Sequence, residues 1–109
     1  MENSINKQEK VLLIGVINQT NNEFTVKEHL NELSLLVETA GGEIIGKITQ
    51  KISRINPATL VGMGKAKQII SQAKEIGAEL IIFDDELSPA QIKNYHKMSK
   101  KIKTLDRNG

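Results

Sequence analysis

The sequence has no cysteine and no tryptophan, only two prolines, and as aromatics only Phe24, Phe83 and Tyr95. Without cysteine there is no disulfide framework, no thiolate metal site and no cysteine nucleophile. So sparse an aromatic content argues against the stacking platforms on which single-stranded RNA is read. Long apolar runs are missing too. The longest, Val11 to Ile17, falls far short of the ~20 residues that span a bilayer. The polar opening MENSINKQEK lacks the apolar stretch of a secretory signal. Charge of one sign is not in excess, and a formal net charge of +2 does not by itself announce a nucleic-acid partner. These absences lead us to expect a soluble cytoplasmic protein with neither a membrane nor DNA as partner.

What is present is aliphatic. The 109 residues are 39% hydrophobic and 26% charged, enough for one domain that buries roughly two-thirds of its unfolded surface. Residues 1–10 are polar and read as a flexible tail. Val11 to Ile17 is continuously apolar, as in a strand covered on both faces. After the polar loop Asn18 to Glu23, Thr25 and Glu28 have capping-box spacing, and Val26, Leu30, Leu33, Val37 and Ala40 form one helical stripe. Gly41-Gly42 ends that helix. Residues 43–52 read as a second strand, sparser in apolar residues and therefore nearer a sheet edge. A second helix is expected over 65–76, with Ala66, Ile69, Ile70 and Ala73 inward and Gly77 as its stop. Residues 80–83 make a third buried strand. Ser88, Pro89 and Gln91 are a cap, a first-turn proline and a capping-box partner, opening a third helix that turns Ile92, Tyr95 and Ser99 inward. Residues 101–106 complete the series as a fourth strand. The order β-α-β-α-β-α-β predicts an α/β fold: a small open, mainly parallel four-stranded sheet with helices on both faces.

In such sheets ligands bind outside the carboxyl ends of the strands, and the candidate motifs fall on that edge. Gly62-Met63-Gly64-Lys65 precedes a helix. It either shapes a tight turn or offers backbone N–H groups and a lysine to a phosphate. It is neither a P-loop nor a dinucleotide fingerprint, because Ala66 follows the lysine and Gln68-Ile69 stand where a third glycine would be sought. Asp84-Asp85-Glu86 has the residue types for magnesium or acid/base work, but carboxylates ahead of a helix are also simply stabilised by its dipole. His29 and His96 lack companions at metal-ligand spacing, and no metal site is expected. Lys93, Lys97 and Lys100 recur at helical spacing, with Lys101, Lys103 and Arg107 beyond them. Such a stripe either meets phosphates or solvates a helix end. No nucleophile–base arrangement assembles, so no catalytic residue is assigned.

Two stretches carry more than periodicity. Asn56 to Lys65 (NPATLVGMGK) and Phe83 to Ile92 (FDDELSPAQI) resemble the two signature segments of the N-terminal domain of HflX-type GTPases, N-P-x-T-h-h-G-x-G-K and h-h-F-[DN]-[DN]-E-L-S-P-x-Q. Leu105-Asp106-Arg107 resembles the family's next strand, although Asn108 stands where threonine is usual. The resemblance runs over residues 11–107. It implies an α/β subdomain of a protein that binds the large ribosomal subunit and is associated with translation under stress. In that family a helical hairpin and the P-loop GTPase domain follow, so residues 108–109 read as a truncated junction toward them. GTP and magnesium would belong to that further domain, and neither a cofactor nor an enzymatic activity is expected of this chain. The implied function is a non-catalytic module contributing to large-subunit binding and to control of the GTPase domain. Gly62, Gly64, Lys65, Asp84, Asp85, Glu86, Ser88 and Gln91 are the candidate nucleotide, phosphate or interdomain contacts, and Lys93, Lys97 and Lys100 the candidate ribosomal RNA contacts. The alternatives are a free-standing nucleotide- or phosphate-binding domain using the Gly62–Lys65 segment, and a plain protein-interaction domain.

Overall fold

A computed structural model describes residues 5–109. The elements alternate as expected: β1 (Lys10–Ile17), α1 (Glu23–Thr39), β2 (Glu43–Lys51), α2 (Met63–Ile76), β3 (Leu80–Phe83), α3 (Pro89–Met98) and β4 (Lys103–Leu105). All four strands are parallel and lie in the order β2-β1-β3-β4. The chain therefore leaves β1 toward one edge and β3 toward the other. Beyond the exposed Lys10 that opens β1, the two central strands are apolar throughout apart from Gly15, because each has helices over both of its faces. β2 is the edge strand that its thinner apolar content implied.

Side-chain alternation splits the core in two. Val11, Leu13, Leu80 and Ile82 point to one face, where α1 lays down Val26, Leu30, Leu33 and Val37. Leu12, Ile14, Ile81 and Phe83 point to the other, against Ala66, Ile69, Ile70 and Ala73 of α2 and Tyr95 of α3. α1 alone covers the first face; α2 and α3 share the second. Gly15 permits the close approach of α1. A Cβ there would stand 2.6 Å from Val26 Cγ1 and 2.9 Å from Leu30 Cδ1. Gly77 ends α2 in the left-handed conformation, at φ 82°.

β4 is shorter than the expected 101–106, spanning Lys103–Leu105, and four other boundaries differ from the sequence reading. α1 starts two residues before Thr25, because Asn22 is its cap: Asn22 Oδ1 accepts from the Thr25 N–H at 2.9 Å. α2 starts at Met63 rather than at Lys65, so Met63 and Gly64 lie in its first turn and not in a loop before it. α3 ends at Met98 and Ser99 is extended, which takes Lys100 off the helix that was to carry Lys93, Lys97 and Lys100 on one face. The fourth difference is at the amino end. Residues 1–4 of the expected tail lie outside the described residues, but Ile5 is buried in the α1-side core and Lys10 opens β1. Glu9 is buried as well, pairing with Lys103 of β4 at 3.1 Å and accepting from the Asn6 N–H. A polar segment can thus be held by one isoleucine and one paired carboxylate.

Candidate functional site: the carboxyl edge of the sheet

The two signature segments lie side by side on the carboxyl edge, and α3 fastens one to the other. Gln91, Asn94 and Tyr95 are spaced i, i+3, i+4 and so share a helix face. Gln91 Nε2 donates to the Asn56 carbonyl at 2.9 Å, Asn94 Nδ2 to the Ala58 carbonyl at 2.8 Å, and the buried Tyr95 hydroxyl to the Thr59 carbonyl at 2.7 Å. The loop closes on itself too. Asn56 and Leu60 exchange two backbone hydrogen bonds of 2.8 Å, Asn56 Oδ1 accepts from the Ala58 and Thr59 N–H groups, and Thr59 Oγ1 donates to the Val61 carbonyl. So tight a closure forces Leu60 to φ 69°, a conformation costly for a branched side chain and held here by burial of the leucine in the core.

The second segment is held differently. Ser88 and Gln91 complete the capping box in both directions, at 3.1 and 2.8 Å. The carboxylate of buried Asp106 accepts from the Leu87 N–H at 2.9 Å and the Asn108 N–H at 3.1 Å, and Asn108 Nδ2 donates to Glu86 at 2.8 Å. Ser88, Gln91 and Glu86 are therefore engaged in positioning the loop.

Of the remaining candidates, Asp84 lines one cleft and Gly62 and Lys65 line another of different charge, while Gly64 and Asp85 line neither. Asp84 and Asp85 stand at the carboxyl end of β3 beside that of β1, where the strand order switches direction. Asp84 lines a hollow of about 310 Å³ with His29, Glu32, Leu33, Leu36 and Arg107, and His29 Nδ1 lies 3.9 Å from its carboxylate. Burial raises the pKa of both aspartates. At Asp84 neighbouring His29 opposes the rise and Asp85 adds to it; at Asp85 Arg107 and a hydrogen bond from the Val16 backbone oppose it. Among the described residues no three His, Asp or Glu side chains converge as a metal ion requires. His96 is exposed in the last turn of α3, away from this edge. The second cleft, about 450 Å³, lies between the end of β2 and the start of α2. Gly62 and Lys65 line it together with Lys51 and Arg54. No side chain caps the first turn of α2, and neither Gly62 nor Gly64 would bring a Cβ within 4 Å of another group. The glycines and the acidic triplet share an edge but not a cavity.

Residues 27–109 match the family described as GTP-binding GTPase N-terminal. The chain belongs to the HflX GTPase family, as its N-terminal domain. It is 43% identical over 99 residues to GTPase HflX of Flavobacterium psychrophilum, a stretch of 91% of this chain and 24% of that protein. Against GTPase HflX of Caldanaerobacter subterraneus subsp. tengcongensis the identity is 37% over 107 residues, 98% of this chain and 24% of the relative. Against that of Escherichia coli it is 38% over 82 residues, 75% and 19% respectively. This HflX-type domain thus spans about a quarter or less of the length of these relatives. Its sequence contains no complete G-x-x-x-x-G-K-[ST]. Gly41 to Lys47 comes within one residue of it, but Ile48 stands where the magnesium-holding hydroxyl belongs and residues 43–51 are strand β2. No helix among the described residues is long and apolar enough to cross a membrane.

Composition and spacing could not reveal the clasp donors Asn94 and Tyr95 or the anchor Asp106, since each acts on backbone far away in sequence. One signal was there: Gln91, Asn94 and Tyr95 share a helical face. Arg107 beside Asp84, and Lys51 and Arg54 beside Lys65, carried no such mark.

Proposed function

We propose that the chain is a non-catalytic module of an HflX-like GTPase, which contributes to large-ribosomal-subunit binding and to control of the GTPase domain in the cytoplasm. The clasp carries this reading. Asn56, Thr59 and Ser88 are engaged with the backbone of their own segments, while Gln91, joined by Asn94 and Tyr95 of α3, holds the backbone of the other loop, which builds a rigid edge rather than a reactive centre. An edge of that kind suits docking of a second domain, with Lys65 as an exposed charged contact, Asp84 and Asp85 as half-buried ones, and lysines elsewhere on the surface for ribosomal RNA. Co-sedimentation with purified large ribosomal subunits at rising salt tests it. Pelleting that weakens with salt is expected; a chain that stays in the supernatant even at low salt overturns subunit binding.

The cleft lined by Lys51, Arg54 and Lys65 favours a second reading, a nucleotide or phosphate held at the open first turn of α2. GTP, ATP and inorganic phosphate titrated against the chain would then shift the amides of residues 62–67. Unchanged amides at millimolar ligand dispose of it.

A further inference from the structure

The lysines are not arranged as one helical stripe. Lys97, Lys100 and Lys101 line a hollow of about 630 Å³ together with Lys74, which arrives from the far end of α2, and with Met98 and Ser99. All four lysines are exposed, and none forms an ion pair among the described residues. Lys93 is not part of this lining. The hollow sits where two helices end. Lysines in a last turn offset the partial negative charge of a helix C-terminus. Lys74 does this for α2 and Lys97 for α3. Lys100 and Lys101 lie past the end of α3 and are left over from that balance, so the lining of the basin carries four lysines and no carboxylate.

We propose that this four-lysine basin binds the phosphate backbone of a nucleic acid. The proposal rests on the ribosome reading above and relocates its RNA contact, from the α3 stripe to a basin that two helices build. Lysine is a compact, hydrated point charge that meets phosphates without the fixed fork of arginine. The basin has no aromatic for base stacking and no polar group fitted to a base edge, so contact with backbone, indifferent to sequence, is what it can offer. An acidic protein surface is the less suitable partner, because protein interfaces gather around buried aromatic or aliphatic anchors and Met98 is the one apolar side chain here.

Two triple variants with equal loss of charge test the placement: Lys74→Gln/Lys100→Gln/Lys101→Gln in the basin, and Lys51→Gln/Arg54→Gln/Lys65→Gln in the cleft on the opposite edge. Each is titrated with a mixed-sequence RNA duplex over a range of KCl concentrations, with circular dichroism confirming the fold. The basin variant should lose at least tenfold in affinity, and its salt slope should flatten by about 0.7–0.9 for each phosphate contact removed. The cleft variant should keep most of both. Equal losses in the two variants, or a larger loss in the cleft variant, overturn the proposal. So does parent binding to polyglutamate as tight as to RNA of equal charge, which would assign the basin to acidic protein. Co-sedimentation separates the two ideas. If the parent and the basin variant pellet equally with large subunits, the basin falls and the ribosome reading stands. If the parent binds duplex RNA through the basin but not the subunits, the reverse holds.

Discussion

Residues 56–65 and 84–91 leave the same edge of the same sheet, yet they are held in place by opposite means. The β3–α3 segment is fixed from several directions: its own capping box, the Asp106 carboxylate and Asn108. The β2–α2 segment closes through Asn56 and otherwise depends on three donors of α3. One loop is the anchor and the other is its dependant. Disturbing α3 should therefore release residues 56–61, whereas disturbing the β2–α2 loop should leave 84–91 in place. The charge difference follows the same division. The anchored loop presents aspartates at the switch point, and the dependent loop presents Lys65 beside Lys51 and Arg54.

Removing Tyr95 breaks the asymmetry most severely. Its ring is buried against Phe83, with centroids 5.1 Å apart, and its hydroxyl holds the Thr59 carbonyl. Tyr95→Ala should cost about 3–5 kcal/mol in urea denaturation. Tyr95→Phe keeps the packing and, because the Val61 N–H still donates to Thr59, should cost only about 1 kcal/mol while speeding amide exchange across 56–61. Asp106→Ala acts on the other loop. It strands the Leu87 N–H in the interior and should cost about 1–3 kcal/mol, with faster exchange at 86–88. A smaller effect, about 1 kcal/mol, is expected for Gln91→Ala, which removes half of the capping box and the Asn56 contact together; both loops should loosen in exchange.

The gentlest test concerns charge. Burial raises the Asp84 pKa, with Asp85 adding to the rise and His29 opposing it. The folded chain therefore holds that proton more firmly than the unfolded chain. The stability this contributes is present below the unfolded pKa and is lost as pH rises through the folded one. Asp84→Asn should accordingly melt slightly higher than the parent at neutral pH, and the gap should close in acid. An Asp84→Asn variant that melts lower than the parent would show that the His29 pair, not burial, governs the site.

Much of the fold was legible in the sequence, because its signals are local. Unbroken apolar runs marked β1 and β3 as doubly covered, and Ser88-Pro89-Ala90-Gln91 announced the start of α3. Helix starts governed by a single side chain were harder. Asn22 caps α1 from a run of polar residues in which nothing distinguishes it, while the Thr25–Glu28 spacing suggested a later start. Ile5 and Glu9 were unreadable because their partners are brought together only by the folded sheet. The site shows the same limit. The signature segments could be seen, but not that they clasp one another, nor that Lys74 would join Lys97, Lys100 and Lys101 across 23 residues of chain. Charge patches belong to tertiary structure, and spacing along one helix is a poor guide to them.

On the proposal above, the domain has two working ends: a basic one formed by the tails of α2 and α3 for RNA, and a clasped signature edge left for a second domain. Hydrogen–deuterium exchange of the chain, free and bound to purified large ribosomal subunits, tells the two ends apart. New protection should concentrate around residues 74–78 and 97–103, with 62–65 and 84–91 exchanging as in the free chain. Protection confined to 62–65 and 84–91, with the lysine basin unchanged, would contradict it.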